Sequence, residues 1–205
     1  YIIRSFRKAP KLDTANSVEL PKVNVIIPAR NEERFISKCL TTIGNQDYQN
    51  YNIIAVDDSS TDRTTNLIKE HASQNWKILF IKTEPKPDGW VGKNWACYQG
   101  YLRSDGDLLL FTDADTNYAK NVISDAVSKI MSEGLDALTL VPRLLCLDRW
   151  TKITLPFLST LLHSRYSPLH VNDPTHKIGY FFGSFYIIKR IIVSCKKPYF
   201  INIIC

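Results

Sequence analysis

Four short apolar runs, at residues 23–27, 52–56, 77–81 and 107–112, alternate with stretches whose apolar residues recur at helical spacing. This alternation constrains the fold more than any other feature. Short runs rich in Val, Ile and Leu read as buried strands. Between the first two, Phe35, Ile36, Cys39, Leu40 and Ile43 fall on one helical face. A helix over 93–103 carries Trp95, Ala96, Tyr98 and Tyr101, and another spans 119–132. Strands and helices joined by short connections give an α/β fold, a mostly parallel sheet with right-handed crossovers flanked by helices. A further strand is expected over 135–141, stopped by Pro142. Pro28 is expected to stop the first strand, Glu32 and Glu33 to open the next helix against its dipole, and Gly44 to end it.

In an open parallel sheet, ligands bind beyond the carboxyl ends of the strands. Three polar groups fall there: Pro28-Ala29-Arg30-Asn31, Asp57-Asp58 and Asp113-Ala114-Asp115. If the strands are neighbours, the three groups converge. Adjacent carboxylates repel and lose solvation, so a cation is expected beside them. The plainer reading of Asp115 alone is a cap for a helix beginning near Tyr118, and Ser60 or Thr61 suits the cap of the helix bearing Leu67 and Ile68. One acid pair suits a hard divalent cation bridging phosphates, the other the N–H or O–H groups of a base or sugar. Lys93, beside Gly92 at a helix start, suits a phosphate, although a solvated helix-end lysine is the plainer reading of that residue alone.

The net charge of +6 is concentrated at the two ends, with Arg4, Arg7, Lys8 and Lys11 in the first and Lys189, Arg190, Lys196 and Lys197 in the last. That suits an anionic partner: a membrane surface, nucleic acid or a phosphorylated substrate. Aromatic residues do not interleave with the basic ones as in RNA-binding modules, so nucleic acid is a poor fit. Five scattered cysteines without a C-x-x-C pair argue against a disulfide framework or a zinc site, and for a reducing compartment. No Walker A, G-x-G-x-x-G or G-x-S-x-G pattern occurs. No run is long and apolar enough to span a bilayer. Residues 1–21 read as a basic arm, or as the flank of a membrane helix lying before Tyr1. Residues 144–162 are Leu-rich nearly all round, which fits either a core helix or an interfacial one, with Pro156 as a kink.

Val-Ile-Ile-Pro-Ala-Arg-Asn-Glu-Glu at 25–33, Val-Asp-Asp-Ser-Ser-Thr-Asp at 56–62 and Thr-Asp-Ala-Asp-Thr at 112–116 resemble, in order and separation, the motifs of family 2 glycosyltransferases with the GT-A fold. Gly-Trp-Val-Gly-Lys-Asn-Trp-Ala at 89–96 is similar to the corresponding loop of the hopanoid-associated branch, close to ceramide glucosyltransferase-like enzymes. The resemblance implies inverting transfer from a nucleotide-diphosphate sugar, a UDP-sugar, to an acceptor hydroxyl. It further implies a lipid acceptor and a position at the cytoplasmic face of a membrane. It puts Pro28, Ala29, Arg30 and Glu32 in the nucleotide pocket, gives uracil or ribose to the Asp57–Asp58 pair, and turns Lys93 toward the nucleotide or its phosphates. Asp113 and Asp115 become the D-x-D motif. Asp115 is then the direct ligand of Mg²⁺ or Mn²⁺, and Asp113 lies nearer the ribose or donor sugar. Gly183-Ser184-Phe185 borders the acceptor.

The family's general base follows that last strand in a Glu-Asp-type motif, and a Gln-x-x-Arg-Trp-like motif comes later. Neither is present, and no acidic residue follows Asp173. Residues 22–142 are thus expected to form the nucleotide-sugar half of a domain spanning 22–190. Residues 143–190 form a partial acceptor side, and 191–205 an atypical tail, as if the catalytic half were cut short. Two other readings stay open: a binding protein without turnover, and a nucleotidyltransferase.

Overall fold

The computed structural model describes residues 20–143, 148–166, 171, 175 and 182–196. The chain divides into two compact units, residues 13–140 with 182–205, and residues 1–12 with 141–181. The first holds a six-stranded sheet. Its elements in chain order are β1 (Val23–Ala29), α1 (Ile36–Gly44), β2 (Tyr51–Asp57), α2 (Thr64–Gln74), β3 (Ile78–Lys82), α3 (Gly92–Leu102), β4 (Leu108–Thr112), α4 (Val122–Glu133) and β5 (Ala137–Thr139). Later in the chain the same unit holds β6 (Phe185–Lys189) and α6 (Arg190–Lys196). The second unit holds α5 (Arg149–Arg165).

The strand order is β3-β2-β1-β4-β6-β5. β1 to β4 are mutually parallel, and β6 runs antiparallel between β4 and β5. The polar tips of β1, β2 and β4 therefore lie side by side at one edge. Alternation along β1 feeds two apolar layers. Val23, Val25 and Ile27 join Ile36, Leu40 and Ile43 of α1 and Ile123 and Ile130 of α4. On the other face, Ile26 and Val56 meet Gly100 of α3.

Several expectations shift. β1 does not stop at Pro28 but runs through it to Ala29. Its ladder to β4 ends at Ile26, so Pro28 lies where the strand has β2 as its one partner and a missing N–H is tolerated. Glu32 and Glu33 precede α1 instead of opening it; the Glu32 carbonyl accepts from Phe35 and Ile36 in a turn ahead of the helix. Neither Ser60 nor Thr61 caps α2, which starts at Thr64 with Asp62 Oδ1 accepting its N–H at 3.0 Å. The strand expected over 135–141 shortens to three residues. A helix, Arg190–Lys196, runs into the segment expected as a tail from residue 191, and Val193 on it is buried. Residues 144–147, part of the Leu-rich stretch, lie outside the described residues. Among the described residues, no helix is long and apolar enough to cross a membrane.

Candidate functional site

Two loops beyond β1 and β2 are laced together. Asn31 and Ser59 adopt left-handed backbone, with φ of 57° and 55°. Asn tolerates that region better than most residues. The Asn31 N–H donates to Ser60 Oγ at 3.1 Å, and Asn31 Oδ1 accepts the Thr61 N–H at 2.9 Å. Glu32 N–H donates to Thr64 Oγ1 at 2.7 Å, and Glu33 exchanges bonds with Asp62 and the Arg63 N–H. Ser60, Thr61 and the Glu33 carboxylate, read as helix signals, are spent on this lacing, while of Glu32 the backbone N–H takes part. Its effect is to hold Arg30, Glu32 and Asp58 at fixed positions above the sheet.

The Asp57–Asp58 pair divides. Asp57 is 0% exposed, and its two oxygens accept from Ser60 N–H at 3.2 Å and Thr65 Oγ1 at 2.8 Å. It stays out of the cavity and organises the loop. Asp58 lines the cavity, with Arg30 at 3.6 Å and Thr83 Oγ1 donating to Oδ1 at 3.3 Å.

α3 brings the third side. Trp90 packs against Trp95 and Tyr98 at 5.2 and 5.1 Å between ring centroids, and Trp95 Nε1 donates to the Glu84 carbonyl at 2.9 Å. These rings anchor the Pro- and Gly-containing loop before α3 and deliver the helix's first turn to the cavity. A Cβ on Gly92 would stand 2.8 Å from Asp58 Oδ2, so a larger residue there would press on the Asp58 carboxylate.

Asp113 and Asp115 follow β4. Asp115 caps nothing: α4 begins at Val122 behind Asn121. The expected cation beside the acid pair is Lys93, whose Nζ lies 2.6 Å from Asp113 Oδ1. Both side chains are part-exposed, so the pair contributes only about 0.2–1 kcal/mol and is easily exchanged. The turn itself is held from behind. Thr116 Oγ1 donates to the Asp113 carbonyl at 2.6 Å, and Cys39 Sγ approaches the same oxygen at 3.6 Å. Burial pushes the Cys39 thiol up to about 12. Tyr118 OH meets Thr112 Oγ1, Thr116 Oγ1 and the Ser184 carbonyl. Thr112 Oγ1 also donates to Ser184 O at 2.9 Å. This hydroxyl cluster ties the acid turn to the Gly183–Ser184 turn, and a Cβ on Gly183 would lie 3.6 Å from Lys93 Nζ. Phe185 is buried behind it.

The result is a cavity of about 470 Å³ lined by Pro28, Ala29, Arg30, Glu32, Asp58, Gly92, Lys93, Asp113, Ala114 and Asp115. Of the donor and metal residues expected from the sequence, all but Asp57 line it. Sequence reasoning missed Asn31, Tyr118 and Cys39 as its supports. A larger cavity of about 740 Å³ lies at the other end of the sheet around Gly106 and Ser194, where Asp105 is already paired with Lys22 at 2.5 Å.

Burial first, then the Asp115, Asp113 and Asp62 carboxylates, raise the Glu32 carboxyl above its ordinary value. Its folded value exceeds its unfolded one, so ionising Glu32 costs the fold stability. That cost is absent below the unfolded value and grows as pH rises through the folded one. Glu32→Gln is therefore expected to raise the thermal midpoint at neutral pH and to leave it unchanged below the ordinary carboxylate range. Scanning calorimetry at the two pH values checks this; a lowered neutral midpoint would contradict it. Burial also raises the Tyr118 hydroxyl, with the Cys39 thiol as the next contributor. Tyr118→Phe should cost about 1 kcal/mol in urea unfolding, since it removes the hydroxyl bonds to Thr112, Thr116 and the Ser184 carbonyl.

Hard carboxylate oxygens from Asp113 and Asp115, amid surplus negative charge at Glu32, fit Mg²⁺ or Mn²⁺. Among the described residues no three His, Cys, Asp or Glu side chains form a metal cluster on their own.

Known proteins share both sequence and fold with the chain. Residues 24–195 match the family described as Glycosyl transferase family 2. A probable glycosyltransferase, YdaM, of Bacillus subtilis (strain 168) is 36% identical over 120 residues, 58% of this chain and 28% of that protein. A beta-monoglucosyldiacylglycerol synthase of Nostoc sp. is 29% identical over 120 residues, 58% of this chain and 25% of that protein. This chain thus spans under a third of the length of these relatives. The mannosyltransferase PcManGT from Pyrobaculum calidifontis, solved with GDP-Man and Mn²⁺, superposes with a TM-score of 0.70 at 23% identity, over 96% of this chain and 53% of that one. Glucosyl-3-phosphoglycerate synthase from Mycobacterium tuberculosis, solved with Mn²⁺, UDP and glucosyl-3-phosphoglycerate, gives 0.58 at 17% identity, over 85% of this chain and 58% of that one. The sheet and its helices are those of the GT-A fold. With the family match running over residues 24–195 of 205, the chain belongs to the family 2 glycosyltransferases.

Proposed function

We propose that this chain carries the donor site of an inverting glycosyltransferase. It takes a sugar from a nucleotide-diphosphate donor, a UDP-sugar, and delivers it to a lipid hydroxyl at the cytoplasmic face of a membrane. One observation carries the reading: Arg30, Glu32, Asp58, Lys93, Asp113 and Asp115 converge on one cavity at the carboxyl ends of β1, β2 and β4. Asp58, recessed under Arg30, accepts from the N–H or O–H groups of uracil or ribose, with Pro28 and Ala29 beneath. Lys93 and the first turn of α3 attract the diphosphate. Asp115, with Asp113, holds Mg²⁺ or Mn²⁺. When bound, that cation supplies Lewis-acid stabilisation of charge on the departing diphosphate. Lys93 exchanges its weak pairing with Asp113 for a phosphate oxygen. Gly183, Ser184 and Phe185 border the acceptor, and their tie to the acid turn through Tyr118 couples the two sides. A lipid acceptor is supported by the relative named a monoglucosyldiacylglycerol synthase and by the 89–96 loop, which is similar to that of the hopanoid-associated branch.

A second reading is a nucleotide-binding protein without turnover. A nucleotidyltransferase is a third, with Arg30 as its thin support. Calorimetric titration of UDP, UDP-glucose and UTP, each with Mn²⁺ or with chelator, distinguishes them. Metal-dependent binding of UDP is expected. No UDP binding in either condition overturns the donor-site reading. Preference for UTP favours the nucleotidyltransferase. Release of UDP from a UDP-sugar excludes the reading without turnover.

A further inference from the structure

α5 carries a face that the rest of its sequence does not explain. Trp150, Ile153, Phe157, Leu158 and Leu161 recur at spacings of three and four, and each is half exposed or more, Trp150 at 77% and Phe157 at 69%. They share one continuous arc of the helix. Scattered exposed apolar residues are ordinary, but five on one arc mark an interaction surface.

The charges say what covers it, because they are one-sided. Arg149 and Lys152 are exposed next to Trp150 and Ile153, while the single acid of residues 148–166, Asp148, accepts the Thr151 N–H at 2.8 Å at the helix start. Basic residues beside an apolar arc fit anionic headgroups over acyl chains, and a tryptophan near one end fits the boundary between them. The helix is about 25 Å long at 1.5 Å per residue and does not qualify as a membrane span, so it would lie in the membrane plane.

We propose that α5 docks on a membrane surface containing anionic lipid, with Trp150, Ile153, Phe157, Leu158 and Leu161 entering the acyl boundary and Arg149 and Lys152 at the headgroups. This deepens the membrane-surface part of the proposed function and rests on that reading for what the docking serves.

The test is flotation of the whole 205-residue chain with vesicles of phosphatidylcholine alone or mixed with phosphatidylglycerol. The chain is expected to float with the mixed vesicles and less with the neutral ones. The double variant Trp150→Asp, Phe157→Asp should weaken binding about tenfold or more, and Arg149→Gln, Lys152→Gln should remove most of the anionic-lipid preference and its salt dependence. Circular dichroism and the UDP–Mn²⁺ titration control for folding, since neither variant touches the donor cavity. Unchanged flotation of the Asp double variant overturns the proposal. So does self-association without flotation that the same variant abolishes, which would make the face a contact between copies. Lost UDP binding with intact flotation counts against the donor site alone; the reverse pattern counts against α5 alone.

Discussion

Asp115→Ala is expected to weaken Mn²⁺-dependent UDP binding on the order of 100-fold, the upper range for losing even an indirect support of a metal. The fold should not change, because Asp115 lies at an exposed loop tip and its methylene packs into no core layer. The neighbouring acid should behave differently. Asp113→Ala removes an ion pair of Lys93 as well as a carboxylate assigned to the metal. It should weaken Mn²⁺-dependent UDP binding less than Asp115→Ala does, since Lys93 no longer gives up its pairing with Asp113 on meeting the diphosphate. Calorimetry with Mn²⁺ and with chelator reads both effects. UDP binding by Asp115→Ala that matches the wild type in Mn²⁺ would remove Asp115 from the metal site. A loss in Asp113→Ala as large as in Asp115→Ala would remove the exchange assigned to Lys93.

The second large effect concerns packing. Gly100 sits in the last turn of α3, and glycine within a helix is intrinsically unfavourable by about 1 kcal/mol relative to alanine. It is buried, and a Cβ there would meet Ile26 Cγ2 at 2.5 Å and Val56 Cγ2 at 3.2 Å. Ile26 is fully buried on a strand paired on both sides, so it has no room to give. Gly100→Val should destabilise by about 3 kcal/mol, the upper range for overpacking, despite the gain in helix propensity. Urea unfolding measures it. Combined with Ile26→Ala, the cost should be smaller than the sum of the two single changes, since the cavity made by one accepts the methyls of the other. Additive costs would place the conflict elsewhere.

Much of the frame was legible in the chain because strand burial writes itself as short Val- and Ile-rich runs. β1 to β4 lie where those runs lie, and parallel order followed from the alternation. The edge at which the polar tips gather also followed, since a parallel sheet puts all strand ends of one kind together. Boundaries were less legible where one residue type serves two uses. Glu32, Glu33, Ser60 and Thr61 have the chemistry of helix starts, yet they bond across to the neighbouring loop. Pro28 breaks a strand only where both neighbours pair, and β4 stops short of it. Nothing in the spacing of Tyr118 relative to Ser184, 66 positions apart, announces that their groups meet.

By itself, the sequence determined the class of fold, the acids at two strand tips and the lysine at a helix start. These depend on local pattern and on residue chemistry, which the chain carries openly. Only the tertiary structure decided that Asp57 turns into the loop while Asp58 faces the cavity. It alone paired Lys93 with Asp113. Each of those outcomes turns on which distant group arrives within about 3 Å for a hydrogen bond or about 4 Å for packing. Such meetings arise from strand order and helix packing.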